Sequence, residues 1–300
     1  MNMHEPGQYV GRFAPSPTGP LHFGSLVAAT ASYLEARTRN GHWLIRIEDI
    51  DPPREQEGAT DQILTALDAY GFEWDGDVAF QSKSRDAHLH AIQTLIDAGQ
   101  AYRCDCSRRD LADFPHGSLG VIYPGTCRDR SVSGEAAVRV QTAAINIAFE
   151  DRLQGRVVQD IERDSGDFII HRRDGLIAYQ LAVVVDDHLQ KITDVVRGID
   201  LIDSTARQLW LQRLLGYEHP GYAHIPVVTH PDGDKLSKLT GAPGLTLEST
   251  VAVLVEALVS LQQTPPPDLA SETLAAVWDW ALENWRPGKL KGVRAVVKTP

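Results

Sequence analysis

The sequence predicts an α/β fold in which helices cross over between the strands of a parallel sheet. Strand and helix patterns alternate over residues 1–101, the alternation stops at 102–174, and it resumes over 175–215. Alternation at this spacing favours parallel strands joined by helices. We therefore expect a Rossmann-like catalytic domain in two halves, an inserted α/β subdomain between them, and a small C-terminal helical subdomain within 216–300.

Each element of the first half has its own signal. A short apolar strand at 9–13 leads through a Pro- and Gly-rich loop into an Ala- and Leu-rich segment at 23–39 with helical spacing. An Asn-Gly pair, typical of helix ends, follows that segment and precedes a second apolar strand at 43–47. Two further helices are predicted at 55–70 and 85–98, each followed by a glycine.

The remainder of the chain is organised differently. In the insertion, β-like segments lie at 137–140, 144–149, 156–161 and 168–171. After it we expect a helix at 178–188, a strand at 192–197 and helices at 204–215, 246–262 and 270–284. The last two helices follow a turn-rich segment and form the C-terminal region.

Composition and charge narrow the class of protein. The 300 residues are 43% hydrophobic and 23% charged, which is ordinary for a globular protein. The net charge of −11 excludes binding of nucleic acid by overall charge, although a local basic surface is compatible with it. No apolar run approaches the roughly 20 residues of a membrane span, and residues 1–8 lack a signal-peptide pattern. We expect a cytoplasmic protein that contacts no membrane.

The loop at 14–20 and the start of the following helix form the first functional motif. Free N–H groups and the positive dipole end of a helix N-terminus bind phosphate. His22 adds a hydrogen-bond donor there, and Gly24 permits the close approach of a nucleotide. Alone, this loop is equally compatible with a proline-rich turn that caps a core helix.

A second motif, Asp-Lys-Leu-Ser-Lys-Leu at 234–239, lies in a turn-rich segment. Lys235 and Lys238 are spaced to act as point charges on a polyphosphate when the loop closes. Alone, the segment fits a solvated loop better.

Together the two motifs resemble the paired signatures of class I aminoacyl-tRNA synthetases. His22-Phe-Gly-Ser25 stands where that family has His-Ile-Gly-His, and 235–239 stands where it has Lys-Met-Ser-Lys-Ser. The sequences at 12–16 and 44–51 look like the glutamyl branch, and the resemblance covers about residues 8 to 245. Ser25 and Leu239 depart from the signatures. The resemblance implies a ligase that uses ATP with Mg²⁺, with His22 and Lys238 as catalytic residues. The implied ATP-binding residues are His22, Gly24, Ser25, Lys235, Ser237 and Lys238.

Charged side chains at strand ends predict the amino-acid pocket. Glutamate presents two carboxylates and one ammonium, and the planar fork of arginine suits a carboxylate. Arg12, Glu48 and Arg197 all lie at the expected carboxyl ends of parallel strands, where such folds bind ligands. Either arginine alone is more often a surface ion pair. The resemblance implies glutamate-binding residues Arg12, Phe13, Ala14, Pro15, Ser16, Glu48, Tyr179 and Arg197.

The three cysteines of the chain, Cys104, Cys106 and Cys127, lie close together in sequence. Three thiolates bind Zn²⁺ tetrahedrally when a fourth ligand is present, and either His116 or Tyr123 is available nearby. Idle thiols are the alternative. The pattern Cys-x-Cys followed by Tyr-x₃-Cys resembles truncated paralogues of glutamyl-tRNA synthetase and implies Tyr123. It also implies one structural Zn²⁺ per chain, in a zinc-containing inserted subdomain.

The number of residues after the lysine motif bears on which group in RNA accepts the glutamate. Only 240–300 follow it, too few for the anticodon-binding domain of a full glutamyl-tRNA synthetase. The truncated paralogues transfer glutamate to queuosine at the wobble position of tRNA(Asp). The resemblance thus implies activation of L-glutamate to glutamyl-adenylate and binding of the tRNA(Asp) anticodon stem-loop.

Three other functions remain open from the sequence. They are a minimal glutamyl-tRNA synthetase that charges the 3′ end of tRNA(Glu), a non-catalytic RNA-binding paralogue, and another nucleotidyltransferase. Arginines that surround the cysteines, the segment at 171–173 and the basic tail at 286–298 are candidates for RNA contact. Solvated surface charge is the alternative for these residues.

Overall fold

The computed structural model describes residues 7–142, 146–236 and 243–298. Its strands are β1 (Val10–Phe13), β2 (His42–Ile47), β3 (Ala79–Phe80), β4 (Ala101–Cys104), β5 (His116–Gly117), β6 (Gly120–Val121), β7 (Ala137–Val140), β8 (Asn146–Asp151), β9 (Gly155–Asp160), β10 (Phe168–His171), β11 (Asp194–Gly198), β12 (Gly221–Ile225), β13 (Val227–Thr229) and β14 (Ala295–Val297). Its α-helices are α1 (Phe23–Arg37), α2 (Ala59–Ala69), α3 (Arg85–Asp97), α4 (Ile161–Asp164), α5 (Tyr179–Leu189), α6 (Ile202–Leu215), α7 (Thr250–Ser260) and α8 (Leu274–Asn284).

The centre of the fold is parallel, as predicted. β1, β2 and β3 pair in parallel, and α1 is the crossover between the first two. In the second half, β11 and β12 also pair in parallel. The halves meet at Thr193, whose backbone N–H donates to the Val10 carbonyl at 3.0 Å and whose hydroxyl accepts from the Val10 N–H at 2.9 Å. The carboxyl ends of β1, β2 and β11 therefore open on the same side.

The turn between α1 and β2 explains why the sequence needs an Asn-Gly pair there. Asn40 has a positive φ of 51°, which asparagine tolerates better than most residues. A β-carbon on Gly41 would lie 2.5 Å from the carbonyl oxygen of Tyr9, so only glycine lets the turn pass this close to the start of β1. α1 ends at Arg37, two residues earlier than the sequence predicts.

α2 begins at Ala59, four residues later than predicted. Residues 52–54 form a short 3₁₀ turn that starts with two prolines, and Gly58 then adopts a left-handed conformation with φ 76°. The prolines favour the turn because they fix φ and lack an N–H. The sequence pattern correctly indicates a helix, but the residues predicted to form its first turn belong to a loop.

Residues of the predicted insertion contribute to three separate sheets, of which the smallest is the β5–β6 hairpin. β4, β7 and β10 make an antiparallel sheet in the order β10-β7-β4. The β8–β9 hairpin is attached instead to the edge of β12, through the pairing of Tyr222 with Asp151. The hairpin thus extends the sheet of the second half.

The C-terminal helices pack on α1 through aromatic rings. Trp278 of α8 contacts Tyr33 and Phe72 edge-on, with centroids 4.9 and 5.0 Å apart, and its indole N–H donates to the Tyr70 carbonyl at 2.9 Å. The Trp285 indole N–H donates to the buried carboxylate of Glu35 at 2.9 Å. These contacts fix α7 and α8 behind the sheet, away from the strand ends. No helix in the described residues is long and apolar enough to cross a membrane.

Candidate active site

A cavity of about 830 Å³ lies at the carboxyl ends of β1, β2 and β11. It brings together most residues that the sequence predicts for glutamate and ATP: Arg12, Phe13, Ala14, Pro15, Ser16, His22, Gly24, Ser25, Glu48, Tyr179, Arg197 and Lys235. Two predicted residues, Ser237 and Lys238, lie outside the described residues. The cavity wall also includes Gln56 and Asp200, which the sequence analysis did not single out.

Arg12 is held by a carboxylate from α5. Its Nε and Nη2 donate to the two oxygens of Asp187 at 3.0 and 3.3 Å, and Asp187 also accepts from Arg46 Nη1 at 2.7 Å. Arg46 Nη2 in turn lies 3.3 Å from Glu48 Oε1. The four charged side chains Arg12, Asp187, Arg46 and Glu48 thus form a buried ion-pair network. The hydrogen bonds from Arg12 to Asp187 use two of the three guanidinium nitrogens of Arg12. The geometry leaves Nη1 of Arg12 for a bound carboxylate.

The charges of this ion-pair network affect the pKa values of its two carboxylates. Burial alone would raise the pKa of Asp187, but Arg12 and Arg46 outweigh it and hold that pKa below its ordinary value. Burial raises the pKa of Glu48 in spite of the same two arginines. A substrate ammonium beside Glu48 would supply the cation that its ionised form needs.

Asp187 is the residue that sequence reasoning missed. Its signal was present, since Asp186 and Asp187 interrupt an otherwise apolar helix. Acidic residues are rarely buried without a partner, so two of them on a buried helix indicate partners elsewhere in the fold.

Arg197 is fixed by four acceptors, one of them the Leu201 carbonyl oxygen at 3.4 Å from Nη2, and one of its nitrogens is left over. Nη2 donates to Thr205 Oγ1 at 2.9 Å and Gln208 Oε1 at 2.7 Å, and Nε donates to His224 Nε2 at 3.1 Å. Nη1 is buried and has no hydrogen-bond partner in the described residues. A buried, unpaired guanidinium nitrogen in a cavity wall is the donor that a carboxylate ligand would satisfy.

His224 is oriented to accept the hydrogen bond from Arg197. Its Nδ1 lies 2.6 Å from Asp151 Oδ2, and both side chains are fully buried. Burial and the Arg197 charge lower the pKa of His224, although Asp151 acts in the opposite direction. The neutral ring therefore carries its proton on Nδ1 and presents Nε2 to Arg197.

The phosphate motif and the lysine motif meet at the start of α1. His22 caps the helix by accepting the Ser25 N–H at 3.3 Å on Nδ1. A β-carbon on Gly24 would lie 3.3 Å from the Leu236 carbonyl oxygen, and Gly244 forms a β-bridge with His22. Leu236 and Gly244, two described residues on either side of 237–242, thus both lie beside the helix N-terminus.

Lys235 lies at the edge of the cavity. Its Nζ is 2.6 Å from Asp200 Oδ2, and both side chains are partly exposed. An exposed ion pair of this kind is worth little, so it is readily exchanged for a phosphate.

The cysteine cluster has the geometry of a metal site. The three Sγ atoms lie within 4.8 Å of one another, with Cys106 and Cys127 3.5 Å apart. The Tyr123 hydroxyl lies 3.4 Å from Cys104 Sγ and 3.5 Å from Cys106 Sγ. With Zn–S bonds of about 2.3 Å, a tetrahedral zinc needs ligand atoms roughly 3.5–4 Å apart, so this set fits the ion. Within the described residues, His116 is exposed on β5 and is not part of the group.

Several predicted RNA-contact arginines are used in ion pairs. Arg128 holds the fully buried Asp167 with two hydrogen bonds of 2.7 Å, and Arg172 pairs with Asp174 at 2.5 Å. Arg130 lies 3.5 Å from Asp105. Arg128 therefore has a structural role in holding Asp167.

Comparisons with known proteins give the family and the fold. The family described as tRNA synthetases class I (E and Q), catalytic domain, matches residues 8–243. A Glutamyl-Q tRNA(Asp) synthetase of Dechloromonas aromatica is 55% identical over 92% of this chain and 94% of its own length. A protein of the same name from Pseudomonas fluorescens is 51% identical over 92% of each chain.

Solved structures agree on the architecture. A glutamate tRNA ligase of Elizabethkingia meningosepticum, crystallised with its amino acid, superposes with a TM-score of 0.80 at 22% identity. The match covers 97% of this chain and 67% of that one. The glutamate-tRNA synthetase of Elizabethkingia anophelis gives a TM-score of 0.79 at 23% identity, over 96% and 68% of the two chains. These matches confirm the α/β fold with a parallel sheet.

Proposed function

This chain belongs to the class I tRNA synthetase family of the glutamyl and glutaminyl enzymes, and from that premise we propose that it transfers glutamate, activated by ATP, to queuosine in tRNA(Asp). The glutamate part of the proposal is supported by the convergence of Arg12, Glu48 and Arg197 on one cavity, where Nη1 of Arg197 has no hydrogen-bond partner among the described residues. Two guanidinium groups and one carboxylate match the two carboxylates and one ammonium of glutamate. The names of the two curated relatives supply the acceptor.

The reaction has two steps. The α-carboxylate of glutamate attacks the α-phosphorus of ATP, which forms glutamyl-adenylate and releases pyrophosphate. A hydroxyl of the cyclopentenediol of queuosine then attacks the carbonyl carbon of the adenylate, which forms an ester and releases AMP.

The protein contributes position and charge. Arg12 and Arg197 hold the substrate carboxylates and Glu48 holds the ammonium, so the attacking oxygen faces the nucleotide. His22 and the N–H groups at the start of α1 contact the phosphates. Lys235 and Lys238 stabilise the charge that grows on the phosphoryl oxygens, and Mg²⁺ bound to ATP would neutralise that charge further.

We further propose that Cys104, Cys106, Tyr123 and Cys127 hold one structural Zn²⁺ in an inserted subdomain spanning 102–174. The ion would tie the loop after β4 to the segment before β7. Basic side chains around this subdomain and in the C-terminal helical subdomain would contact the anticodon stem-loop in the cytoplasm.

Zinc binding is predicted to depend on Tyr123 and not on His116. Tyr123→Phe removes an oxygen ligand and is expected to weaken zinc binding at least about tenfold, whereas His116→Ala leaves it unchanged. Zinc content after dialysis and competition with a chromophoric chelator measure both. Equal zinc affinity in Tyr123→Phe and the unaltered protein would contradict the ligand set.

The acceptor is tested with three RNAs and labelled glutamate. We expect an ester on queuosine-containing tRNA(Asp), and none on queuosine-free tRNA(Asp) or on tRNA(Glu). Binding should weaken steeply with salt, since phosphate contacts release counterions. Charging of tRNA(Glu) at its 3′ end would instead establish a minimal glutamyl-tRNA synthetase, and absence of glutamate-dependent pyrophosphate exchange would rule out both enzymes.

A further inference from the structure

A second cavity, of about 230 Å³, adjoins the glutamate pocket. Ser16, Thr18, Glu48, Arg54 and Tyr179 line both cavities, so residues of the proposed glutamate pocket form part of the boundary between the two. A volume of several waters, at roughly 30 Å³ each, accommodates a substituted five-membered ring. An acceptor group in this space would lie beside the residues proposed to hold glutamate.

The second cavity has an excess of carboxylate. Its wall contains Glu48, Asp51 and Glu55, together with two arginines that are already paired. Those arginines are Arg54, which lies 2.6 Å from Asp51, and Arg172, which lies 2.5 Å from Asp174.

Glu55 differs from its neighbours in the cavity wall. Among the described residues it forms no ion pair, and its Oε1 is buried without a hydrogen-bond donor. Burial and the nearby Asp49 charge raise the pKa of Glu55, although the backbone N–H of Asp51 acts in the opposite direction. A raised pKa is expected of a carboxylate that has no cation beside it.

Gln81 provides a second, independent acceptor in the same wall. Its side chain is 1% exposed, and its Nε2 donates to Asp186 Oδ2 at 2.7 Å. That bond fixes the orientation of the amide, because His88 Nε2 holds the other oxygen of Asp186 at 2.9 Å. Oε1 of Gln81 is left buried without a partner in the described residues. An unpaired buried acceptor is energetically unfavourable, so two of them in one cavity indicate a ligand that donates.

We propose that this second cavity is the acceptor subsite, in which Glu55 pairs with the cationic secondary amine of queuosine and Gln81 Oε1 accepts from its amine or a ring hydroxyl. The inference rests on the proposed function. The amine joins the cyclopentenediol to the base, so its capture directs a ring hydroxyl toward the adenylate beside Ser16 and Glu48. The 3′-terminal adenosine of a tRNA carries no such cation, and the subsite would therefore select the modified base.

The test compares Glu55→Gln with Glu57→Gln. Glu57 is an exposed carboxylate two residues away that does not line the cavity, so it controls for lost surface charge. Two rates are measured for each variant: glutamate-dependent pyrophosphate exchange without RNA, and single-turnover transfer from glutamyl-adenylate to queuosine-containing tRNA(Asp). The ratio of transfer to exchange is expected to fall about 10- to 100-fold in Glu55→Gln, the value of a hydrogen bond to a charged group, and to stay constant in Glu57→Gln.

A small-molecule probe separates base recognition from RNA docking. Queuine, the free base with the same amine and diol, is expected to inhibit transfer by the unaltered protein and to inhibit Glu55→Gln at least tenfold more weakly. An unchanged transfer-to-exchange ratio in Glu55→Gln, or a parallel loss of both rates, overturns the acceptor subsite. Failure of the unaltered protein to glutamylate queuosine-containing tRNA(Asp) overturns the proposed function itself.

Discussion

Arg197→Met is expected to lower kcat/KM for glutamate in pyrophosphate exchange by roughly 10³-fold. The substitution removes the buried Nη1 that faces the cavity and has no partner of its own in the described residues. Hydrogen bonds to charged groups contribute about 1.5–3 kcal/mol each, and Nη1 carries two N–H groups that can donate to the substrate carboxylate. Most of the effect should appear before any RNA is added.

A matched control separates loss of the substrate contact from loss of a buried charge. Arg207, on the same helix α6 as Thr205 and Gln208, is also largely buried and lies over the Phe168 ring, but it does not line the cavity. Arg207→Met should therefore leave the glutamate kcat/KM within a few-fold of the unaltered protein. If Arg197→Met activates glutamate as well as Arg207→Met does, then Arg197 does not bind the substrate.

Much of the candidate site was predictable because its residues follow a rule of topology. Arg12 and Arg197 are the penultimate residues of their strands, and Glu48 directly follows its strand. Parallel strands place their carboxyl ends on one side of the sheet. A sequence that reveals its strands thus also indicates which charged side chains converge. The phosphate motif is similarly local, since it requires only a loop followed by a helix N-terminus.

The residues that orient those side chains were not predictable in this way. Asp187 meets Arg12 from 175 positions away and Arg46 from 141 positions away. No spacing rule links such positions, because the contact depends on how α5 packs beneath the sheet. The β8–β9 hairpin shows the same limit, since its strands carry a clear pattern but its attachment to β12 depends on a distant pairing.

Asp187→Asn is expected to lower the free energy of unfolding by about 3–5 kcal/mol. Asp187 is the shared anion between two buried guanidiniums, and removing one partner from a buried ion pair leaves an uncompensated charge. Arg12 then turns toward the remaining anion, Glu48, and away from glutamate. The KM for glutamate should consequently rise by about 100-fold, as measured by pyrophosphate exchange alongside urea unfolding.

Asp186→Asn is the control for this substitution. Asp186 is the preceding residue of the same helix and is equally buried, but it contacts Gln81 and His88 and forms no ion pair with either arginine in the described residues. It should destabilise the fold without a comparable change in the KM for glutamate. Equal KM values in the two variants would show that Asp187 acts only through stability.

The pH dependence of the unfolding free energy tests the charge of Asp187 separately. Arg12 and Arg46 hold its pKa below the ordinary value of about 3.9, so the stability it contributes is complete above that value. It is lost as the pH falls through the lower pKa of the folded state, where the carboxylate takes up a proton. The difference in unfolding free energy between the unaltered protein and Asp187→Asn should therefore be constant from about pH 5 to 8 and shrink below about pH 4. Taking this difference cancels the contributions of the other carboxylates to the unfolding free energy. A difference that stays constant down to pH 2 would therefore show that the charge of Asp187 does not hold the two arginines.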